Sequence, residues 1–192
     1  MNFYTVHCPI CVTPFPTHVW IKDRLLDLIN QADSESLEPK EMDESVAIYH
    51  GLPEHDDIAR LDWSNSNDMT RPWVEYYYPY FKNLVTNIAT KLSFPGFRLF
   101  AMWFQQYLNN GQHNWHTHSN NYTGVYYLEF PDGAPPTEIS QNGEIVPLNI
   151  KEGDFVIFPA FLYHRAPPVK NVDRKTIISF NLDFTGIGNY VN

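Results

Sequence analysis

The fold of this chain is decided by the stretch FRLFAMWFQQYLNNGQHNWHTH, residues 97–118, in which a long apolar segment leads into a group of histidines. The segment Phe97–Tyr107 is rich in aromatic and aliphatic side chains and predicts a buried β-strand. His116 and His118 are two residues apart, so on a strand their side chains point to the same face. Imidazole binds iron, zinc, copper and nickel, and the pair therefore predicts two ligands of one metal ion.

The sequence around these histidines is free of charged side chains. Between Leu99 and Leu128 there is no Asp, Glu, Lys or Arg, which indicates a buried wall that presents neutral ligands. A single histidine more often makes an ordinary hydrogen bond in a core or at a surface, but two at this spacing favour a metal site. His113 is three residues from His116, so alternation points it to the other face, and we expect it in a loop or outside the ligand set.

His164 and Arg174, which lie much later in the sequence, extend this pattern. His164 follows a turn and a predicted buried strand, which places it at a strand end, at the mouth of a barrel. Arg174 opens the next predicted strand, on a face that it shares with apolar residues. An unpaired arginine there would be costly, so Arg174 needs an anion, either a protein carboxylate or a carboxylate ligand. A metal with open positions beside a carboxylate receptor points to a small organic acid and to non-haem iron oxygenase chemistry.

Composition places the chain among globular proteins. Its 192 residues predict one domain, and 16% aromatic with 18% charged residues argues against disorder. The net charge of −9 argues against general nucleic-acid or anionic-membrane binding, because both need a basic face. No segment reaches the ~20 apolar residues of a membrane helix, and the N-terminus lacks a signal-peptide pattern. We therefore expect a cytoplasmic protein that does not bind membranes.

The two cysteines form a lone Cys-x-x-Cys motif at Cys8 and Cys11. A redox or zinc role usually needs a helix start or a second pair of ligands, and neither accompanies the motif. An ordinary pair of thiols in an N-terminal strand is the favoured interpretation.

Helical patterns occupy the first half of the chain. Residues 19–32 predict a helix, because the apolar side chains recur on one face. A second helix is expected to run from Thr70, as its cap, to Leu92, with Pro72 in the first turn. Pro79 must kink this helix or mark its true start. Residues 33–68 are acidic and rich in turns, with a short strand around 46–49, and form either a lid or a plain solvated surface.

Strand patterns occupy the second half. The predicted strands are 97–107, 114–118, 122–130, 144–148, 154–158 and 175–184. Helices followed by about six strands predict an α+β, mainly β fold, a jelly roll or cupin-like double sheet buttressed by N-terminal helices. We divide the single domain, residues 1–192, into helical and loop support over 1–95 and a β core over 96–185. The mouth of such a barrel can hold a metal and a small ligand.

From Tyr107 to Asp183 the chain resembles the 2-oxoglutarate- and Fe(II)-dependent oxygenase superfamily, above all its small phage-type members and the prolyl hydroxylases. The matching segments are His116-Thr117-His118, Thr123–Leu128, Gly153–Pro159, His164 and Arg174–Phe180. The resemblance implies a double-stranded β-helix that holds Fe(II), with His116, His118 and His164 as catalytic metal ligands. Most of the superfamily has Asp or Glu where this chain has His118, which leaves the site more positive by one charge.

The resemblance also implies a site for 2-oxoglutarate. Arg174, helped by Thr176, would pair with the far carboxylate of this cosubstrate. Tyr127 and Tyr107 match tyrosines that contact it in prolyl hydroxylases, although both could equally be core residues in so aromatic a chain.

The implied reaction uses O2 to hydroxylate a substrate while 2-oxoglutarate is decarboxylated to succinate. The substrate is unidentified, and a prolyl or other peptidyl residue in a protein or peptide is the best match. A phage-encoded enzyme would act in the host cytoplasm. Two alternatives stay open: a three-histidine dioxygenase that does not use 2-oxoglutarate, and a non-enzymatic, cupin-like metal-binding protein.

Overall fold

Two helices in the described part of the chain buttress two antiparallel sheets. The structure, a computed structural model, describes residues 1, 8–38, 56–141, 143–146 and 148–186. Helix α1 is His18–Gln31 and helix α2 is Pro72–Lys91. The strands are β1 (Cys11–Pro14), β2 (Glu35–Leu37), β3 (Ile58–Leu61), β4 (Gly96–Tyr107), β5 (His113–His116), β6 (Tyr122–Glu129), β7 (Glu138–Gln141), β8 (Glu144–Val146), β9 (Asp154–Pro159), β10 (Tyr163–Ala166) and β11 (Lys175–Thr185).

Both predicted helices are confirmed, with changes at their ends. Helix α1 buries an apolar stripe at i, i+4 spacing, Ile21, Leu25 and Ile29. Helix α2 begins at Pro72 and its N-cap position is Arg71, not Thr70, whose hydroxyl instead donates to Asp68 Oδ1 at 2.7 Å. Pro79 lies inside α2 and does not start it; the residue is exposed, so its ring lies on the solvent side of the helix.

The larger sheet has the strand order β1-β9-β6-β11-β4-β3-β2, and the smaller sheet has the order β5-β10-β7-β8. The pairings within both sheets are antiparallel. Strands β2, β3, β7 and β10 were not predicted, because each is only three or four residues long and carries polar side chains. His164 therefore lies within β10 and not beyond a strand end, and the strand predicted at 46–49 lies outside the described residues.

The larger sheet is buried on both faces, and this defines two cores. On one face Ile178 and Phe180 of β11 pack against the helices. On the other face Ile177 of β11 and Tyr127 of β6 pack between the two sheets. Full burial of one such side chain stabilises the fold by about 1.5–3 kcal/mol. Because both faces of β11 are buried, alternation along this strand decides which of its residues face the helices and which face the space between the sheets.

Gly124 of β6 shows how closely the layers approach. A Cβ atom at this position would lie 2.3 Å from the carbonyl oxygen of Val156 and 2.3 Å from the ring of Phe180. Only glycine fits between these groups, which explains why it stands in an otherwise bulky strand.

The predicted α+β, mainly β fold class is confirmed. Neither helix in the described ranges is long and apolar enough to cross a bilayer.

Candidate metal centre and anion receptor

Three histidines converge in the space between the two sheets. His116 of β5 and His164 of β10 are register partners, and His118 follows two residues after the end of β5. One ring nitrogen from each of the three lies within 4.8 Å of the others. The ring centroids are 4.3 Å apart for His116 and His164, and 4.9 Å apart for His116 and His118. Such a triangle of imidazoles can hold one divalent transition metal.

Hydrogen bonds orient two of these rings. His116 Nδ1 lies 2.6 Å from the carbonyl oxygen of Asn114, and His164 Nδ1 lies 2.8 Å from that of Leu162. A carbonyl only accepts, so Nδ1 carries the proton and the Nε2 lone pair is left for a metal. His118 Nδ1 instead lies 3.4 Å from the side-chain nitrogen of Asn181.

Burial keeps all three histidines neutral. Desolvation lowers the pKa of His118 to about 4 and that of His164 to about 3, and it also lowers the pKa of His116. Neighbouring imidazoles add to this effect at His118 and His164 because a positive charge on one ring disfavours a charge on the next. Neutral imidazole is the form that binds metals, so the donor set fits a metal at neutral pH.

His113 also lies in this cavity, although alternation predicted that it points to the other face. The register between β5 and β10 shifts, so that Ala166 pairs with His113 and not with the residue after it. This bulge turns His113 inward, where its ring stacks on that of His116 at a centroid distance of 4.1 Å. The predicted orientation was therefore wrong because strict alternation does not survive a bulge.

Arg174 and Thr176 lie outside this cavity. Arg174 Nε donates to Glu129 Oε2 at 2.7 Å and Nη2 donates to Oε1 at 3.1 Å, a bidentate ion pair. The Thr176 hydroxyl donates to the same carboxylate at 2.8 Å. Of the two anions that the sequence allowed for Arg174, the structure shows the protein carboxylate. Both residues occupy the side of β11 that carries Ile178 and Phe180, which is the helix side of the larger sheet.

The cation on the cavity side of β11 is the neighbouring residue, Lys175. Its side chain is fully buried, and its Nζ donates to the carbonyl oxygen of Pro135 at 2.7 Å. The ammonium lies 5.4 Å from the ring centre of Tyr107 and 5.7 Å from that of Phe130. Among the described residues no carboxylate lies within salt-bridge distance of it. Desolvation lowers the pKa of Lys175 to about 7, which a bound anion would reverse.

The two predicted tyrosines differ in their hydrogen bonds. Tyr107 lines the cavity, and its buried hydroxyl has no partner among the described residues. Burial raises the pKa of Tyr107, so the phenol stays protonated and can donate. Tyr127 is already engaged, because its hydroxyl donates to Thr137 Oγ1 at 2.9 Å and accepts the Thr137 N–H at 3.0 Å.

Lys175 and Tyr107 are register partners that place two buried donors on the same side of β11. Among the described residues the ammonium has one carbonyl partner and the phenol has none, and a carboxylate would satisfy both groups. Lys175 had a signal in the sequence: the same face of the strand carries Ser179 and Asn181, polar residues that mark a cavity in a strand otherwise buried on both faces.

The cysteines do not join the metal cluster. Cys8 and Cys11 are both free thiols, and Cys11 lies in β1. Burial raises the pKa of Cys11, which disfavours the thiolate that metal binding or redox chemistry needs.

Comparison with solved structures finds this fold in oxygenases. An oxidoreductase of the 2OG-Fe(II) oxygenase family from Burkholderia pseudomallei matches with a TM-score of 0.63 at 11% identity, over 92% of this chain and 86% of that one. A viral collagen prolyl hydroxylase from Paramecium Bursaria Chlorella virus-1, a 2OG complex, gives 0.56 at 14% identity over 90% and 94%. A Trichoplax adhaerens prolyl hydroxylase, in complex with a hypoxia inducible factor peptide fragment, gives 0.60 at 12% identity over 90% and 82%.

No protein-family model and no curated protein matches the sequence. At identities of 11–14% the likeness to solved structures is one of fold. The resemblance and the double-stranded β-helix predicted from the sequence are both confirmed at this level, and the chain has the fold of the 2-oxoglutarate- and Fe(II)-dependent oxygenases.

Proposed function

We propose that this protein is an Fe(II)- and 2-oxoglutarate-dependent dioxygenase that hydroxylates a substrate and forms succinate. One observation carries the proposal: three neutral histidines share a cavity with Tyr107, whose hydroxyl has no partner among the described residues, and the buried Lys175 lies beside Tyr107 on the same side of the sheet. The histidines match a metal centre, and the lysine and tyrosine match a carboxylate. A keto acid could bind the metal at one end and these two donors at the other.

The three histidines would hold the metal as neutral ligands and would bring no negative charge to it. His116, His118 and His164 are neutral ligands, so the charge of Fe(II) is balanced by the dianionic cosubstrate. When bound, Fe(II) supplies the redox chemistry that couples decarboxylation of 2-oxoglutarate to hydroxylation by O2.

Lys175 and Tyr107 orient the far carboxylate of the cosubstrate. The ammonium and the phenol belong to register partners on adjacent strands, so they act on one carboxylate from a rigid frame. Arg174 and Thr176 have a structural role in this proposal, because Glu129 already occupies their donors.

Aromatic side chains around the histidines keep water out. The ring of Phe158 packs edge-on against His164 at 4.9 Å, and the ring of Trp103 lies 6.2 Å from His118. A cavity with few waters strengthens the electrostatic contacts inside it and protects reactive species.

A peptide, with a prolyl residue as the site of hydroxylation, is the proposed substrate. Its support is the likeness of fold to prolyl hydroxylases, one of which is described in complex with a peptide fragment.

The test is anaerobic. Fe(II) and then 2-oxoglutarate are added to the metal-free protein, and the visible charge-transfer band of a chelated keto acid is recorded. A band that saturates with 2-oxoglutarate supports the proposal, and iron binding without the band contradicts it. Succinate formation with prolyl peptides then tests the substrate.

A second function is favoured by His118. A third neutral ligand in place of a carboxylate is also the pattern of dioxygenases that use three histidines and no 2-oxoglutarate. Iron binding with oxygen consumption that is independent of 2-oxoglutarate would support that function. Iron binding with no oxygen consumption at all would favour a metal-binding protein without enzymatic activity.

A further inference from the structure

We propose that Asn181 is the positioning residue that makes His118 a metal ligand in place of the more common carboxylate. This inference rests on the proposed metal centre and concerns one contact inside it. A carboxylate can bind a metal through either oxygen, whereas a histidine binds through Nε2 only if its proton is held at Nδ1. An acceptor at Nδ1 favours the tautomer that leaves Nε2 for the metal.

Two of the three histidines obtain that acceptor from the backbone. The carbonyl oxygens of Asn114 and Leu162 each lie two residues before the histidine that they hold. Because this contact is local, the strand that carries the histidine also sets its tautomer.

His118 has no such backbone contact among the described hydrogen bonds, and its Nδ1 atom instead contacts a side chain that is distant in the sequence. Within the described chain, the recorded hydrogen-bond contact of His118 Nδ1 is the side-chain amide of Asn181, 63 residues away. Asn181 is 5% exposed, and its Oδ1 has no hydrogen-bond partner among the described residues.

Rotation of the amide by 180° exchanges its oxygen and nitrogen. In one orientation Nδ2 donates to His118 Nδ1, which places the imidazole proton at Nε2 and blocks that atom as a ligand. In the other orientation Oδ1 accepts the Nδ1–H of His118, and Nε2 is left for the metal. The second orientation pairs Oδ1 with His118, moves Nδ2 to the place that the oxygen had occupied, and gives His118 the same tautomer as His116 and His164.

Strand pairing on both sides fixes the backbone of Asn181. Its backbone pairs with Ala101 of β4 and with Thr123 of β6, in the middle of the larger sheet. The register with β4 shifts directly after Asn181, because Phe100 is an extra residue in β4 at this point. His118 itself is tied by its N–H to the carbonyl oxygen of Ala160 at 3.0 Å.

The experiment measures Co(II) affinity by calorimetry on the metal-free protein, with Co(II) as an air-stable substitute for Fe(II). Asn181→Leu keeps the volume and removes the acceptor, and we expect a loss of about 10–100-fold in affinity. Asn181→Asp keeps an acceptor at the same place, and we expect affinity within a few-fold of wild type, or higher. Equal affinity in wild type and Asn181→Leu overturns the inference, and so does an equal loss in both variants.

A double-mutant cycle separates positioning from structure. In a His118→Ala background, Asn181→Leu should cause no further loss of Co(II) affinity, because the ring that it positions is gone. A further loss of the same size shows a general structural role and overturns the inference.

The matched control is Asn121→Leu. Asn121 also bonds to β11, through the backbone of Phe184, and we expect it to leave Co(II) affinity unchanged. A loss as large as that of Asn181→Leu would contradict a specific role. Failure of the wild-type protein to bind Co(II) overturns the proposed metal centre and this inference together, whereas tight binding that ignores Asn181 overturns the inference alone.

Discussion

Lys175 and Tyr107 are register partners on adjacent strands, and the Lys175 ammonium lies 5.4 Å from the centre of the Tyr107 ring. The pair is fully buried, faces the space between the sheets and ends in donors that a carboxylate would satisfy. Arg174 immediately precedes Lys175 in the chain and is bound to Glu129 on the opposite side of the sheet. These two neighbouring cations thus have different environments, so substitution of Arg174 is a control for substitution of Lys175.

Lys175→Met should weaken 2-oxoglutarate binding by about 2–4 kcal/mol, because it leaves a buried carboxylate without its charged partner. Co(II) affinity should be unchanged, since the histidines remain. Arg174→Met is the control, and we expect little effect on 2-oxoglutarate affinity. Calorimetry measures the 2-oxoglutarate affinity of the Co(II)-loaded wild type and of both variants. A larger loss of affinity in Arg174→Met than in Lys175→Met would remove Lys175 from the site.

The affinity for 2-oxoglutarate should fall above pH 7. Burial lowers the pKa of Lys175 to about 7 in the free protein, and a bound carboxylate raises it again. Above pH 7 the free lysine is neutral, so binding must take up a proton, and the dissociation constant should rise by about tenfold per pH unit. Below that pH the lysine is already charged and the dependence should level off. Calorimetry in buffers of different ionisation enthalpy measures the uptake, which should disappear in Lys175→Met.

The metal-free protein should lose stability as the pH falls below 6.5. The pKa values of His118 and His164 are lowered to about 4 and about 3, against the ordinary value of 6.5 in the unfolded chain. Between pH 6.5 and 4 the unfolded state therefore binds more protons than the folded state, and each histidine contributes a loss of about 1.4 kcal/mol per pH unit. Urea unfolding at pH 7.5 and pH 5 measures this loss, and an unchanged free energy of unfolding would contradict the buried neutral state.

His118→Asp should retain metal binding, because a carboxylate oxygen can replace the imidazole nitrogen at the position where most of the superfamily has an acid. His118→Ala should bind Co(II) more weakly than His118→Asp. Calorimetry compares the two variants, and loss of binding in His118→Asp would count against a ligand role at this position.

Gly124→Ala should destabilise the fold by about 1–3 kcal/mol, because the new methyl group would overlap the Val156 carbonyl and the Phe180 ring. Gly96→Ala is the control in the same sheet, where the added Cβ would lie 3.4 Å from Thr185 Oγ1 and make an ordinary contact. Thermal unfolding of both variants measures the difference. A Gly124→Ala variant as stable as wild type would show that β6 and its neighbours can move apart.

Local patterns predicted most of the secondary structure. Helix α1 and strands such as β4 and β11 follow from periodicity and apolar content, and these are properties of neighbouring residues. The short strands β2, β3, β7 and β10 were not predicted, because three or four residues with polar side chains carry too little pattern. The His-x-His spacing predicted that His116 and His118 lie close together, since two residues of separation on an extended chain set a common face.

The sequence by itself determined which residues alternate, and the tertiary structure decided what each face meets. Alternation along β11 separates Arg174 from Lys175, but only the packing of the helices on one side of the sheet made Lys175 the inward cation. In the same way, a register shift between β5 and β10 turned His113 into the cavity, and the fold brought Asn181 to His118 across 63 residues. These outcomes depend on contacts between segments that are distant in the sequence, and packing and strand register together determine which of these contacts form. The face to which a side chain points along one strand depends on backbone geometry alone.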